Sequence, residues 1–154
     1  MNKLTIAKFG GSAIGVDGEG IPEIVKRIKE IQRDSKLVVV CSAPLTMVNE
    51  KKKSLTDVIL GIGKDAVNGS NIDFSIVEKP YLKILDYVND DTKDLCKGII
   101  DDFLKKSKNS IDKASSKKEF LDETRSKALA FSGEVLMSHV LDLILKSNDI
   151  RSDT

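Results

Sequence analysis

The sequence predicts an α/β protein that is rich in helix and has a mainly parallel sheet. Three stretches carry this prediction. Residues 3–9 alternate loosely and end in a glycine pair, residues 21–34 show an apolar helical face, and residues 36–43 form a continuous β-branched run. A run of that kind fits a strand covered on both faces, as in a parallel sheet. Residues 3–43 are therefore interpreted as one strand–helix–strand unit.

The helix in this unit is predicted by its start and by its spacing. Pro22 suits a first helical position, because its missing amide would have had no partner there. Apolar residues then recur at steps of three and four, which places them on one helix face: Ile21, Ile24, Val25, Ile28 and Ile31.

Helices are predicted for most of the remaining chain. Ser54 with Asp57 is close to a capping box and predicts a helix start. Lys51–Lys53 before it could form a phosphate clamp, but charge runs are usually solvated, so they are interpreted as a solvated loop. Pro80 is expected to break or start a segment. Residues 91–106 have helical spacing, residues 105–119 form a polar link or a solvated helix end, and helices flank "FSGE" at 131–134. The final "IRSDT" could begin another strand.

Composition limits the possible partners. The 154 residues include 25 Lys plus Arg and 24 Asp plus Glu, for a net charge of +1, so no nucleic-acid partner is expected. The two cysteines lack ligand spacing, which predicts no metal site and a reduced, cytoplasmic protein. No signal peptide and no run approaching a membrane span is evident, so no membrane partner is expected.

A lysine and two glycines follow the first predicted strand. Glycine lets the backbone approach a ligand closely, successive amides can hold anionic oxygen, and Lys8 adds a point charge suited to phosphate. Because Lys8 precedes Gly10 and Gly11, the stretch is neither a Walker A loop nor a GxGxxG motif. The alternative is a strand end with a structural glycine turn and an exposed lysine.

Two further turns carry candidate residues. Ser42 ends the second predicted strand and offers a hydroxyl, although such serines often simply terminate strands. In "FSGE", Ser132 or Gly133 could cap a helix whose dipole favours Glu134. The functional alternative gives Glu134 to a ligand ammonium.

These stretches, in this order, resemble the aspartokinases of the amino acid kinase family. The similarity rests on "KFGGSA", "VVVCSAP" and "FSGE", and the N-terminal KFGG is its most specific part. It implies a three-layer amino-acid-kinase-like fold. Two departures stand out: Ser12-Ala13 replaces the usual Thr-Ser after KFGG, and Phe131 and Ser132 reverse the order of the family's Ser-Phe-Gly-Glu.

The resemblance also implies roles for individual residues. Lys8 would contact the transferring phosphoryl group as the catalytic lysine, and Gly10, Gly11 and Ser12 would help bind ATP with Mg²⁺. The substrate site would contain Ser42, Thr56 and Glu134, and Glu134 would hold the α-ammonium of aspartate. Thr46 remains an alternative to Thr56, which we favour.

By this resemblance, residues 1–154 would be the N-terminal, amino-acid-binding lobe of a kinase domain, with a helical section at about residues 70–132. The nucleotide lobe and regulatory domains would be absent, so the fragment alone is expected to be inactive. The implied reaction is phosphorylation of aspartate, the first step of lysine, threonine and methionine biosynthesis, by a homo-oligomeric full-length enzyme. Alternatives are another family member, such as an acetylglutamate or glutamate kinase, or a non-catalytic helical interaction module.

Overall fold

The first part of the chain forms the predicted strand–helix–strand unit. The computed structural model describes residues 3–154, and this unit comprises β1 Lys3–Phe9, α1 Gly11–Ile14, α2 Ile21–Gln32 and β2 Ser35–Cys41. β1 and β2 pair in parallel, with Lys3 opposite Ser35 and Phe9 opposite Cys41. The parallel pair therefore presents the carboxyl ends of both strands at one edge.

The two faces of this pair differ in burial. Alternation along a strand sends Phe9, Leu37, Val39 and Cys41 to one face, where they pack against the core. The other face carries four exposed apolar side chains, namely Leu4, Ile6, Val38 and Val40. Within residues 3–154 the second strand is thus covered on one face, whereas its continuous apolar run predicts cover on both.

A hairpin that the sequence analysis did not predict follows the unit. β3 Leu45–Val48 pairs antiparallel with β4 Lys51–Ser54. The two turn residues, Asn49 and Glu50, have φ values of 49° and 62°, the left-handed geometry that matches the twist of a two-residue hairpin. The prediction of a loop at Lys51–Lys53 is therefore wrong.

Helices make up most of the remaining chain. They are α3 Leu55–Val67, α4 Ser75–Ile84, α5 Asp90–Lys117, α6 Asp122–Ser132 and α7 Glu134–Ser147, with a 3-10 turn at Leu85–Tyr87. The Ser54 hydroxyl accepts from the Asp57 amide at 3.1 Å, which confirms the predicted helix start. Pro80 lies inside α4 and neither breaks nor starts it. Residues 151–154 are irregular, so no strand begins there.

The core lies between the helices and the covered face of the parallel pair. Its fully buried side chains include Ile14, Ile28, Ile59, Tyr81, Ile100, Leu136 and Ile144. A helix-rich α/β fold with small sheets and one parallel pair results, which confirms the predicted fold class.

Among residues 3–154, one segment is long and apolar enough to cross a membrane by length and composition alone, contrary to the sequence expectation. This segment, Asp122–Ser147, is 61% buried within the protein over its most apolar window. Gly133 also divides it into α6 and α7. Its hydrophobicity is therefore accounted for by packing in the core.

Candidate functional site

The candidate site lies at the carboxyl ends of β1 and β2. Beyond the last paired residues, Phe9 and Cys41, the amide of Ser42 donates to the carbonyl oxygen of Phe9 at 3.0 Å. This bond holds the two strand ends in register. In open α/β folds, ligands bind outside this edge of the sheet.

Three turns that are distant in sequence meet there. A Cβ built at Gly11 would lie 3.2 Å from the carbonyl oxygen of Ala43, and one built at Gly133 would lie 3.8 Å from the Cβ of Ala43. Ala43 therefore lies beside the turns of both "KFGG" and "FSGE". The fold brings together the three stretches that the sequence analysis singled out.

Lys8 and the first turn of α1 offer groups suited to an anion. The Lys8 side chain is exposed and forms no ion pair with any group in residues 3–154. Within the same range, the amides of Gly11 and Ser12 donate no hydrogen bond, as expected for the first residues of a helix. Alternation along β1 places Lys8 on the sheet face opposite Phe9, so its ammonium would reach a ligand from that side.

The candidate serines and threonines differ in accessibility. Ser12 is exposed, whereas Ser42 and Thr56 are half-buried. Thr46 is 1% exposed, and its hydroxyl donates to the carbonyl oxygen of Ile76 at 3.5 Å. Thr46 thus faces α4. Thr56 lies in the first turn of α3, two residues after Ser54, which pairs with Leu45 in the hairpin. Because Leu45 lies beside Gly11, this first turn of α3 is near the "KFGG" turn.

Glu134 opens α7 with an exposed side chain. Gly133 is the N-cap residue of α7, as the sequence allows, but the helix has no side-chain cap. The Ser132 hydroxyl instead donates back to the carbonyl oxygen of Ala128 at 2.7 Å. Burial raises the pKa of the Cys41 thiol to about 11, and the nearby Glu134 carboxylate adds to this effect. Glu134 therefore lies within electrostatic reach of the end of β2.

The described residues do not provide a metal site of their own. Among residues 3–154, no group of three or more His, Cys, Asp or Glu side chains could hold a metal ion. A cavity of about 240 Å³ between β2 and α7 is lined in part by Cys41, Asp142 and Arg151. It lies on the covered side of the sheet, away from the exposed Lys8.

The comparison with protein families identifies the fold. The model of the amino acid kinase family matches residues 3–153, nearly the whole chain. The chain belongs to the amino acid kinase family. No curated protein matches it at a significant level. Membership implies a phosphotransferase, and an amino acid is the acceptor that the family suggests.

One residue at this amino acid kinase site was not found from the sequence. Tyr81, on α4, is fully buried, and its hydroxyl donates to the carbonyl oxygen of Ser132 at 2.8 Å. The spacing of Val77, Tyr81 and Ile84 identifies an apolar helix face. It does not indicate that the face meets a turn 51 residues further along the chain.

Proposed function

We propose that this chain is the amino-acid-binding lobe of an aspartate kinase. The enzyme would transfer the γ-phosphoryl group of ATP to the β-carboxylate of L-aspartate and form 4-phospho-L-aspartate. The observation that carries the proposal is the meeting of the "KFGG", "SAP" and "FSGE" turns around Ala43 at the carboxyl edge of β1 and β2.

The phosphoryl side of the site would be formed by the first turn. Both partners of this reaction are anionic, so catalysis depends on positioning and charge neutralisation more than on a general base. The exposed Lys8 ammonium and the amides of Gly11 and Ser12 are donors with no other partner in the described chain. Aimed at the developing charge, such donors stabilise a transition state. Gly10 would let the backbone approach the phosphate.

The acceptor side would be formed by the other two turns and the start of α3. The Glu134 carboxylate would bind the α-ammonium of aspartate, and the hydroxyls of Ser42 and Thr56 would hydrogen-bond its polar groups. Thr56 is favoured over Thr46 because Thr46 is buried and its hydroxyl is directed at Ile76.

ATP would bring its own metal ion. Since no group of three or more His, Cys, Asp or Glu side chains in residues 3–154 could hold a metal ion, Mg²⁺ would be carried by the phosphates and would neutralise part of their charge. The protein groups would then orient the phosphate tail. The cytoplasmic location and the homo-oligomeric state of the full-length enzyme belong to the same proposal.

The experiment is an assay of acyl-phosphate formation by the product of the complete gene. Acyl phosphates react with hydroxylamine to give hydroxamates, which can be measured directly. We expect hydroxamate with ATP and aspartate together, and none with either alone. Glutamate and N-acetylglutamate are the matched alternative acceptors.

Each result of this assay separates the candidates. Product with N-acetylglutamate or glutamate in place of aspartate would assign the chain to another member of the family. Absence of product with all three acceptors would contradict an amino acid kinase altogether and would favour a helical interaction module.

A further inference from the structure

The Tyr81 side chain reaches the junction between α6 and α7 from α4 and forms hydrogen bonds there. Tyr81 is 0% exposed, and its hydroxyl lies 2.8 Å from the carbonyl oxygen of Ser132 and 3.2 Å from that of Gly133. These two carbonyls immediately precede Glu134. Tyr81 is on α4, so the contact joins two parts of the chain separated by 51 residues.

The phenolic hydroxyl has one proton, so one of these two contacts must dominate. The Gly133 carbonyl already accepts from the amide of Met137 at 2.9 Å, in the first turn of α7. The Ser132 carbonyl ends α6, where helical carbonyls lack intrahelical partners. The Tyr81 hydroxyl therefore donates its proton to the carbonyl oxygen of Ser132, the nearer of the two acceptors.

Side-chain hydrogen bonds from the junction itself do not hold the start of α7. α7 begins without a side-chain cap, and the Ser132 hydroxyl is directed back along α6 to Ala128. Burial raises the pKa of Tyr81 well above its ordinary value, so the hydroxyl remains a donor at any physiological pH.

We propose that Tyr81 is the positioning residue of the amino-acid substrate site. Its hydroxyl fixes the Ser132–Gly133 backbone. This in turn sets the direction in which the Glu134 side chain projects from the first turn of α7. Tyr81 touches no substrate and acts only through this turn. The inference rests on the proposed function, since it assigns Glu134 to the substrate ammonium.

The test compares Tyr81→Phe with Tyr87→Phe in the full-length protein. Tyr87 is the only other tyrosine. It is half-buried, and its hydroxyl makes no hydrogen bond to another group in residues 3–154. Both variants keep the aromatic ring and lose one oxygen, so the hydroxyl bond is the difference between them.

The first readout is hydrogen exchange of the Met137 amide, which donates to the Gly133 carbonyl oxygen at 2.9 Å and requires no activity to be measured. Losing the buried Tyr81 hydrogen bond should raise the exchange of this amide about tenfold in Tyr81→Phe, with no change in Tyr87→Phe. Equal exchange in the two variants would overturn the proposal. This readout stands even if the protein phosphorylates no amino acid, a result that would count against the proposed function alone.

The second readout is kinetic. With aspartate as substrate, Tyr81→Phe should raise the KM for aspartate by about tenfold and leave the KM for ATP and kcat near those of the unsubstituted enzyme. A rise in exchange with an unchanged KM for aspartate would show that the bond is merely structural and would overturn the positioning role. A uniform loss of kcat with unchanged KM values would overturn it as well.

Discussion

The carbonyl oxygen of Leu129 occupies the space next to Gly133, 2.6 Å from where a Cβ at that position would lie. A Cβ at Gly133 would also lie 3.8 Å from the Cβ of Ala43, and the Gly133 carbonyl oxygen accepts from the Met137 amide at the start of α7. The turn before Glu134 is therefore packed against backbone on one side and against the end of the sheet on the other. Glycine is required here for space, because a Cβ would overlap the carbonyl oxygen of Leu129.

This contact predicts the effect of Gly133→Ala. A methyl group would force α6 and α7 apart, since the atom that it meets is backbone and cannot rotate away. We expect a loss of about 1–3 kcal/mol in the free energy of unfolding, measured by urea denaturation. Gly10→Ala is the control, because a Cβ there meets nothing within 4 Å. Equal stability of the two variants would contradict the packing of this turn.

Lys8→Ala should reduce kcat far more than it raises the KM for aspartate in the full-length enzyme. Lys8 is proposed to contact the phosphoryl group, and removing one donor to a developing charge typically costs about 10²–10³ in kcat. Lys36→Ala is the matched control, because Lys36 is exposed on the same face at the opposite end of β2, paired with Leu4. Unchanged kcat in Lys8→Ala would remove Lys8 from the mechanism.

Glu134→Gln should raise the KM for aspartate and have a smaller effect on the KM for ATP. The substitution keeps the shape of the side chain but removes the charge proposed to pair with the substrate ammonium. For such a pair we expect a factor of about ten or more in KM. Glu123→Gln, at an exposed pair with Lys127 on α6, controls for a lost surface carboxylate. If Glu134→Gln has the same KM for aspartate as the unsubstituted enzyme, Glu134 does not bind the substrate and only favours the start of α7.

Local patterns predicted the elements that are specified locally. The alternation of residues 3–9, the Ser54–Asp57 cap and the apolar face of α2 each depend on neighbours within a few residues, and the structure contains the elements they predict. The hairpin was missed because its turn is Asn49-Glu50, without the glycine that usually marks such turns, and because the three lysines of β4 do not alternate.

The candidate site was only partly accessible to the same reasoning. Glycine turns and strand ends indicated where "KFGG" and "SAP" would lie, since parallel strands share one edge. The convergence of "FSGE" on Ala43 depends on how α6 and α7 pack after a long helical section, which no short spacing encodes. The contact of Tyr81 with Ser132 is missing from the sequence prediction for the same reason.

Pro80 and Thr46 should be energetically coupled. Proline has no amide to donate to the carbonyl four residues earlier in a helix, which here belongs to Ile76, and the Thr46 hydroxyl reaches that carbonyl at 3.5 Å. Thr46→Val should therefore lower the free energy of unfolding by about 1 kcal/mol. In a Pro80→Ala background the loss should be clearly smaller, because the amide of residue 80 can then donate to the Ile76 carbonyl oxygen. Thr56→Val, which removes a hydroxyl with no partner in residues 3–154, is the control. Additive effects in the double-mutant cycle would disprove the coupling.

Alkaline pH should destabilise the protein through its buried thiols. Burial raises the pKa of Cys96, which is 0% exposed on α5, from 9.0 to about 11. Above pH 9 the unfolded chain therefore binds fewer protons than the folded one, so stability falls as pH rises and continues to fall until the folded thiol itself titrates near 11.

The measurement is the free energy of unfolding from urea titrations under reducing conditions, taken at intervals from below pH 9 to nearly 11. Cys96→Ala lacks this thiol, so its stability should fall by about 2 kcal/mol less over that window, whatever the cost of the cavity at neutral pH. Comparing how the free energy of unfolding changes with pH in the two proteins removes the cavity cost, which does not depend on pH. It also removes the titration of lysines, which both proteins share. Parallel curves for the two proteins would show that the Cys96 thiol titrates alike in the folded and unfolded states, against the burial seen in the core.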